Sequence, residues 1–331
     1  MNFKKYFLIF LFILLINFGS AGFFDSFNSC GDGTKIGECS KNSPYFCDEN
    51  GILIEKASIC GCPNLTEIQG NLCISPYQEN PKEINLTYFF SGKESNISMI
   101  VYEKMANYLF YSPDYLFYSN GEEPKKDDFK LRKINEENQR ILLMPLVIKI
   151  QNLEKNTENQ ARIAISLVQN IEFGYSNESL SVGGYSINYS RYPYEVLYNE
   201  QGTCASKSEL LVFLLREIGY ETVFFYHEKE NHDSVGIKCP EEYGFLNTSY
   251  CFVEATGPSI LADNENIYLG GEKLTSYPKI IKASEGISLK YMREYRDSEI
   301  LKEMRRRIEQ RGGLNFFQHF SFRILQRRYG L

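Results

Sequence analysis

The chain of 331 residues contains no tryptophan and only three histidines, His227, His232 and His319. Any chemistry that needs an imidazole side chain must therefore use one of these three positions. The missing tryptophan does not reflect a general shortage of aromatic residues, since tyrosine and phenylalanine number 24 each. We interpret this aromatic content as packing in the core and on the surface, and not as a ligand site.

The chain begins with a segment that predicts export. Two lysines precede an apolar run from Tyr6 to Ile16, and small residues follow around Ala21, which is the pattern of a signal peptide over residues 1–21. If the apolar segment continues to Phe24, it is long enough to serve as an N-terminal membrane anchor instead. Frequent cysteines and six Asn-x-Ser/Thr sequons agree with an exported location. Both alternatives place the protein at the cell surface, secreted or anchored, where nucleic acid is not an expected partner.

Residues 25–75 form a predicted disulfide-rich module. A segment of this size buries too little apolar surface to fold unaided, so three disulfides are expected, and the sequence does not choose their connectivity. Metal binding is the alternative, but Cys60-x-Cys62 is not the usual zinc spacing and no histidine lies nearby. The stretch resembles small cysteine-rich modules of exported prokaryotic proteins, which act as spacers or attachment units. Its cysteines are Cys30, Cys39, Cys47, Cys60, Cys62 and Cys73.

Residues 76–138 and 139–285 differ in their hydrophobic pattern. The first segment alternates apolar and polar patches and predicts a few strands and one helix, without a catalytic motif. The second predicts a helix from about Cys204 to Ile218, with Gly219 placed to end it. Three strand-like segments follow, "ETVFFY", "HDSVGIKC" and "SYCFVEATGP", and the last two predict an antiparallel hairpin.

The predicted hairpin brings a histidine and a carboxylate together. His232 begins one strand and Glu254 ends the other, so we expect the two residues to meet at the same end of the hairpin. His227 is expected in the polar connection that precedes the hairpin, outside any strand. The N-terminus of a helix favours a thiolate over a thiol. Cys204 therefore suits a nucleophile, His232 a base, and Glu254 the acid that orients the histidine.

This order of parts resembles the transglutaminase-like superfamily, which shares the papain-like fold. The motifs that carry the resemblance are "GTCASKSELLVFLLREIGYET", "NHDSVGI" and "CFVEATGP", within residues 140–260. The resemblance implies an α+β fold in which a helix bearing Cys204 packs on an antiparallel sheet bearing His232 and Glu254. It also implies a triad that hydrolyses or transfers an amide bond through a thioester, with no metal and no organic cofactor.

Two departures from the family pattern affect this interpretation. Glu254 stands where the family usually has aspartate, which adds one methylene to the acid. The tryptophans of the cross-linking members are missing, which favours hydrolysis over protein cross-linking. One oxyanion donor is expected from the backbone N–H of Cys204. The second donor remains open between Gln201 and Tyr192.

Three cysteines lie outside the N-terminal module, and one of them is expected to be unpaired. Cys239 and Cys251 flank the hairpin loop and are candidates for a disulfide across it. Direct pairing of the histidine with the glutamate would put Cys239 opposite Asn247, so this disulfide requires a bulge or a wider loop. Cys204 is then unpaired, and an unpaired cysteine in an exported protein indicates a reactive thiol or a partner chain.

Residues 286–331 form a basic helical tail. Positions 290–331 carry 11 Lys and Arg against 5 Asp and Glu, and this net charge of +6 leaves −12 for the rest of a chain whose total is −6. Phe317, Phe320 and Ile324 fall on one side of a predicted helix. Docking on the acidic body is the favoured interpretation, and an interfacial helix on anionic lipid or wall polymer is the alternative.

The sequence thus predicts an exported cysteine hydrolase whose substrate is a peptide, an isopeptide bond or a cell-surface polymer. A catalytically inactive surface-binding protein of the same fold, attached through the cysteine-rich module and the basic tail, is the alternative hypothesis.

Overall fold

The computed structural model describes residues 28–112, 125–182, 185–265 and 273–331. The predicted leader over residues 1–21 lies outside them. None of the described helices is both long enough and apolar enough to cross a bilayer. The described residues form two compact units, one of residues 28–74 with Gln151–Thr157, and one of residues 75–150 and 158–331.

The first unit is small and held together by disulfides. It contains two antiparallel pairs of three-residue strands and one short helix, with few buried apolar side chains. The three disulfides expected from the sequence are present, and the structure supplies their connectivity: Cys30–Cys47, Cys39–Cys60 and Cys62–Cys73. Its elements are β1 (Tyr45–Cys47), β2 (Leu53–Glu55), α1 (Ala57–Cys60), β3 (Glu67–Gln69) and β4 (Leu72–Ile74).

The rest of the described chain mixes helices and strands. The strands are β5 (Pro81–Phe90), β6 (Lys93–Tyr102), β7 (Glu172–Phe173), β8 (Ser179–Val182), β9 (Tyr185–Asn188), β10 (Gln201–Gly202), β11 (Thr222–His227), β12 (His232–Lys238), β13 (Tyr250–Val253) and β14 (Lys279–Ser284). The helices are α2 (Glu103–Phe110), α3 (Lys126–Ile134), α4 (Glu137–Leu153), α5 (Thr157–Asn170), α6 (Pro193–Asn199), α7 (Cys204–Ile218), α8 (Arg293–Arg311) and α9 (Phe316–Tyr329).

A four-stranded antiparallel sheet lies at the centre of the second unit, in the order β13-β12-β11-β14. Nearly every residue of β11 and β12 is buried, including the polar residues His232, Asp233 and Ser234 at the start of β12, so neither strand alternates strictly between buried and exposed positions. Helix α7 packs against β11 and β12, and α3 and α6 pack against α7. The first residue of α7 is therefore held close to one end of the two central strands.

Helix α7 begins and ends where the sequence predicts. Thr203 is the N-cap, and its hydroxyl and the side chain of Ser206 form a reciprocal capping box. Gly219 follows the last turn with φ of 119°, a left-handed conformation that favours glycine. A Cβ at Gly202 would lie 2.8 Å from the Ser206 hydroxyl, so the chain can enter the helix this tightly only with glycine there.

The register of the β12–β13 hairpin differs from the expected one. Val235 lies opposite Val253 and Lys238 opposite Tyr250, and this register continues without a bulge. Extended by one position, it places Glu254 beside Ser234, two residues along β12 from His232. A register that places the histidine directly opposite the glutamate is therefore not adopted, because two short 3-10 turns in the connecting loop set a different offset.

The same register accommodates the predicted disulfide across the hairpin. The Cys239 N–H donates to the carbonyl of Ser249, so the cysteines are diagonal neighbours on adjacent strands. Cys239 and Cys251 form a disulfide with a Cα–Cα distance of 5.7 Å, within the usual range. No bulge is needed, because the register is already shifted by two residues.

The two C-terminal helices pack against the rest of the second unit, to which they belong. Leu301 of α8 and Leu325 of α9 form a buried apolar cluster with Ile260. Buried carboxylates paired with arginines reinforce this packing. The pairs are Arg305–Asp263, Arg162–Glu294 and Arg328–Asp297.

Candidate functional site

Cys204 is the first residue of α7 and the only free cysteine of the chain. Its side chain is half-buried. The first N–H groups of a helix have no intrahelical acceptor, so backbone donors and the positive end of the helix dipole surround this thiol. The position thus combines limited solvent access with nearby backbone N–H donors.

His232 links the thiol to a carboxylate. The side chain is 2% exposed, and Nε2 lies 2.9 Å from Oε2 of Glu254. His232 also shares a hydrogen bond with the side chain of Cys204. Burial opposes the positive charge, but the hydrogen bonds to Cys204 and Glu254 and the charges of both partners raise the pKa of His232 to about 10. The imidazole is therefore held as a cation across neutral pH.

Glu254 lies just beyond β13, and its buried carboxylate accepts several hydrogen bonds. Its Oε1 accepts the backbone N–H groups of Ala255 and Thr256, each at 2.9 Å, and the Thr256 hydroxyl at 2.8 Å. Burial disfavours the carboxylate, but the hydrogen bond and charge of His232 and the Thr256 donors lower the pKa of Glu254 overall. The extra methylene of glutamate suits the observed register, because the carboxylate must reach diagonally across two strand positions.

Two buried side chains hold the backbone around this acid. The Gln169 side-chain amide donates to the carbonyls of Glu254, at 2.8 Å, and Ser259, at 3.1 Å. The ammonium of Lys207, one turn after the free cysteine, donates to the carbonyls of Ile171, at 2.6 Å, and Thr256, at 2.9 Å. Lys207 thus ties the C-terminal end of α5 to the segment after the acid.

Lys207 is a buried cation without a direct carboxylate partner among the contacts of the described chain. Burial lowers the pKa of Lys207 to about 8, and the charge of Glu254 acts in the opposite direction. Sequence reasoning missed this residue. A lysine one turn after the cysteine was the available signal, but a surface position explains such a residue equally well.

A buried ionic cluster joins α7 to β12 next to His232. Lys130 of α3 lies 3.0 Å from Oδ1 of Asp233 and 3.7 Å from Oε1 of Glu209. Burial opposes the charge of Lys130, but these two carboxylates outweigh it and raise its pKa. Asp233 directly follows His232, so the cluster fixes that strand against the cysteine helix. The segment 76–138 therefore contributes to the site, which its sequence did not indicate.

The sequence placed His227 in the connecting segment before the hairpin, and this prediction was wrong. His227 ends β11 and lies directly opposite His232 across the sheet, with ring centroids 6.5 Å apart. Nδ1 bonds the Ser276 carbonyl at 3.1 Å, and the ring is fully buried. Burial lowers the pKa of His227 below 6.5, so this imidazole is neutral at pH 7.

The two oxyanion candidates occupy different environments. Gln201 lies in β10, three residues before Cys204, and is half-buried; its Oε1 accepts from Arg191 at 3.2 Å, which leaves the amide NH2 to donate elsewhere. Tyr192 is the N-cap of α6 and is 1% exposed, with its ring beneath the Lys133 ammonium. Gln201 is thus accessible from outside, whereas Tyr192 is enclosed.

No protein-family model and no curated protein matches this chain. Among solved structures, Legionella pneumophila LapG is similar over 40% of this chain and 73% of its own, with 12% sequence identity and a TM-score of 0.24. The calcium-bound form of Legionella pneumophila LapG is similar over 53% of this chain and 98% of its own, with 14% identity and a TM-score of 0.25. Likenesses at this level carry no argument about the present chain.

Proposed function

We propose that the protein is an exported cysteine hydrolase of the transglutaminase-like type. One observation carries the proposal: a buried histidine lies between a free cysteine at a helix N-terminus and a buried carboxylate, with His232 Nε2 2.9 Å from Glu254 Oε2. A nucleophile, a base and an orienting group within hydrogen-bond reach are what covalent acyl transfer requires. The four disulfides are compatible with an exported protein.

In the first half of the proposed reaction, the Cys204 thiolate attacks the carbonyl carbon of an amide. The new C–S bond converts the carbonyl into a tetrahedral oxyanion. When the oxyanion collapses, the C–N bond breaks, and the imidazolium of His232 passes a proton to the departing amine. The products of this step are a thioester on Cys204 and a free amine.

In the second half, His232 reverses its role. The neutral imidazole takes a proton from a water molecule, which attacks the thioester and releases a carboxylic acid and the Cys204 thiolate. An amine in place of water would give acyl transfer through the same steps. Glu254 keeps the ring oriented and stabilises the imidazolium throughout, without taking up the proton itself. The chemistry requires no metal and no organic cofactor.

We assign the oxyanion donors to the backbone N–H of Cys204 and the side-chain amide of Gln201. The bond from Arg191 to Oε1 orients the Gln201 amide with its NH2 group available. Tyr192 is the weaker candidate, because a substrate oxygen must reach the donor and this side chain is enclosed. The substrate class is an amide: a peptide, an isopeptide or a cell-surface polymer.

A panel of fluorogenic peptides and amides tests the proposal. We expect turnover by the wild type that is lost in C204A and H232A, and retained in H319A, in which an exposed histidine of α9 is removed as a matched control. Adding an amine acceptor separates hydrolysis from acyl transfer. Turnover that survives in C204A would refute the nucleophile. Binding of a surface polymer without turnover, equal in wild type and C204A, would support the inactive binding protein instead.

A further inference from the structure

A cavity separate from the triad opens elsewhere in the second unit. It has a volume of about 650 Å³ and lies between the turn joining β5 and β6, helix α5 and the C-terminal helices α8 and α9. This volume is typical of sites that enclose small molecules. Cys204, His232 and Glu254 are not among its lining residues.

Apolar side chains form part of the wall of this cavity, beside polar and charged ones. Phe89 and Phe90 come from the end of β5, Ile165 from α5, and Met292 and Ile324 from the C-terminal segment. Apolar side chains of this kind favour burial of a hydrocarbon chain at roughly 25 cal/mol per Å² of surface removed from water.

The charges that line the cavity are predominantly positive. Its one lining carboxylate, Glu294, is already engaged by Arg162 in a bidentate pair at 2.7 and 2.9 Å. Arg328 is likewise engaged, by Asp297. Two further lining arginines belong to α8 and α9, and no carboxylate within the described part of the chain neutralises their positive charges.

Arg293 and Arg327 are these two residues. Both side chains are exposed at the cavity, and neither has an ion-pair partner among the described residues. Two guanidinium groups without a carboxylate partner in the described chain, beside a wall with apolar side chains, match a ligand with an anionic head and a hydrocarbon chain.

The outer face of α9 continues the apolar surface towards the cavity. Phe317 and Phe320 are 78% and 63% exposed, and the helical repeat places them on the same side as Ile324 at the cavity. Helix α9 contains three arginines and no acidic residue. An anionic amphiphile would therefore meet apolar and positive surface from the helix to the cavity.

We propose that this cavity binds an anionic amphiphile, with the acyl chain along Phe89, Ile165 and Ile324 and the carboxylate or phosphate head at Arg293 and Arg327. The inference does not depend on the proposed hydrolase chemistry, since no triad residue takes part.

A fluorescence titration with 11-dansylaminoundecanoic acid, kept below its micellar concentration, tests this site. We expect saturable binding that dodecanoate and dodecyl phosphate displace and that dodecanol displaces less well. The double variant R293Q/R327Q should bind about threefold to tenfold more weakly, since two partly exposed charge pairs are lost. The matched control R296Q/R323Q removes two exposed arginines from the same helices and should bind as the wild type does.

A second pair of variants guards against misfolding. Ile324 is 39% exposed at the cavity and tolerates a polar side chain, so I324E places a carboxylate there and should abolish binding. Ile308 is 47% exposed and outside the cavity, so I308E should have no effect. Absence of saturable binding, or equal weakening by both arginine doubles, would overturn the proposal.

Vesicles distinguish the source of the amphiphile. If the ligand comes from a bilayer, the protein should co-sediment with anionic but not with zwitterionic phospholipid vesicles, and F317S/F320S should reduce this co-sedimentation. If it is a free amphiphile, the protein should bind the dansyl probe without binding vesicles, and F317S/F320S should bind the probe normally. Either result supports the cavity site, provided that R293Q/R327Q weakens the binding that is observed.

Discussion

Replacing Glu254 with Gln should lower the pKa of His232 while keeping the shape of the site. The wild-type carboxylate makes a 2.9 Å charge-assisted bond to Nε2 in a fully buried setting, and the pKa of His232 is about 10. A buried hydrogen bond to a charged group contributes about 1.5–3 kcal/mol, which corresponds to about 1–2 pH units. We therefore expect E254Q to bring the pKa of His232 to about 8–9.

Removing both partners of His232 should move its pKa from above its ordinary value to below it. In C204S/E254Q the thiolate and the carboxylate are both absent, and only burial, which opposes the charge, remains. The pKa of His232 should then fall below its ordinary value of 6.5. E254D keeps the charge on a shorter side chain, so it should lie between the wild type and E254Q.

Imidazole proton–carbon NMR from pH 5 to 10.5 measures these values directly. The chain has only three histidines, so H227Q and H319Q assign the signals. E221Q is the matched control, because Glu221 directly precedes β11 and its carboxylate accepts from the Tyr250 hydroxyl at 2.6 Å and not from His232. A wild-type His232 that titrates near 6.5, or one that E254Q leaves unchanged, would refute the coupling.

The same pKa predicts a pH dependence of stability. A group whose pKa is raised on folding adds stability that is complete below its unfolded value, here about 6.5, and that is lost as the pH rises through about 10. The advantage of the wild type over E254Q in the free energy of unfolding should therefore be largest near pH 6 and vanish towards pH 10. Urea unfolding at both pH values checks this, and a difference that grows with pH would contradict it.

Three further predictions concern the rest of the chain. Native, unreduced protein should take up one equivalent of iodoacetamide, at Cys204, because the other eight cysteines are disulfide-bonded; labelling only after denaturation would contradict this. Replacing Cys239 and Cys251 with Ser should cost about 3 kcal/mol in urea unfolding, from the closed loop of sequence separation 12; an unchanged midpoint would count against it. R305A should cost about 3–5 kcal/mol by leaving the buried carboxylate of Asp263 unpaired, whereas D263L/R305M should cost less; equal losses would contradict the ion-pair argument.

Local signals in the sequence predict much of the cysteine helix and the hairpin. Thr203 before the helix and Gly219 after it mark its ends, and both signals act within a few residues of the positions that they determine. The branched and aromatic segments around His232 and Glu254 predict neighbouring strands for the same reason. The count of nine cysteines also points to one unpaired thiol, because pairing leaves an odd residue.

The hairpin register could not be predicted in the same way. It depends on the conformation of the connecting loop, where two 3-10 turns shift the strands by two positions. This shift explains both the diagonal disulfide and the use of glutamate at position 254, since a longer side chain reaches His232 from the displaced strand. Neither consequence can be derived from the residues in isolation.

Composition, periodicity and local turn signals thus predicted the cysteine helix and the strands that follow it, the disulfide-rich N-terminal module, the disulfide across the hairpin and three candidate triad residues. The tertiary structure alone decided how the six N-terminal cysteines pair and that Lys130, Lys207 and His227 are buried beside the candidate site. It also decided that, among the residues described, two arginines remain unpaired at a partly apolar cavity. The physical reason is that burial and ion pairing of a side chain depend on groups distant in sequence, whose positions only the folded chain defines.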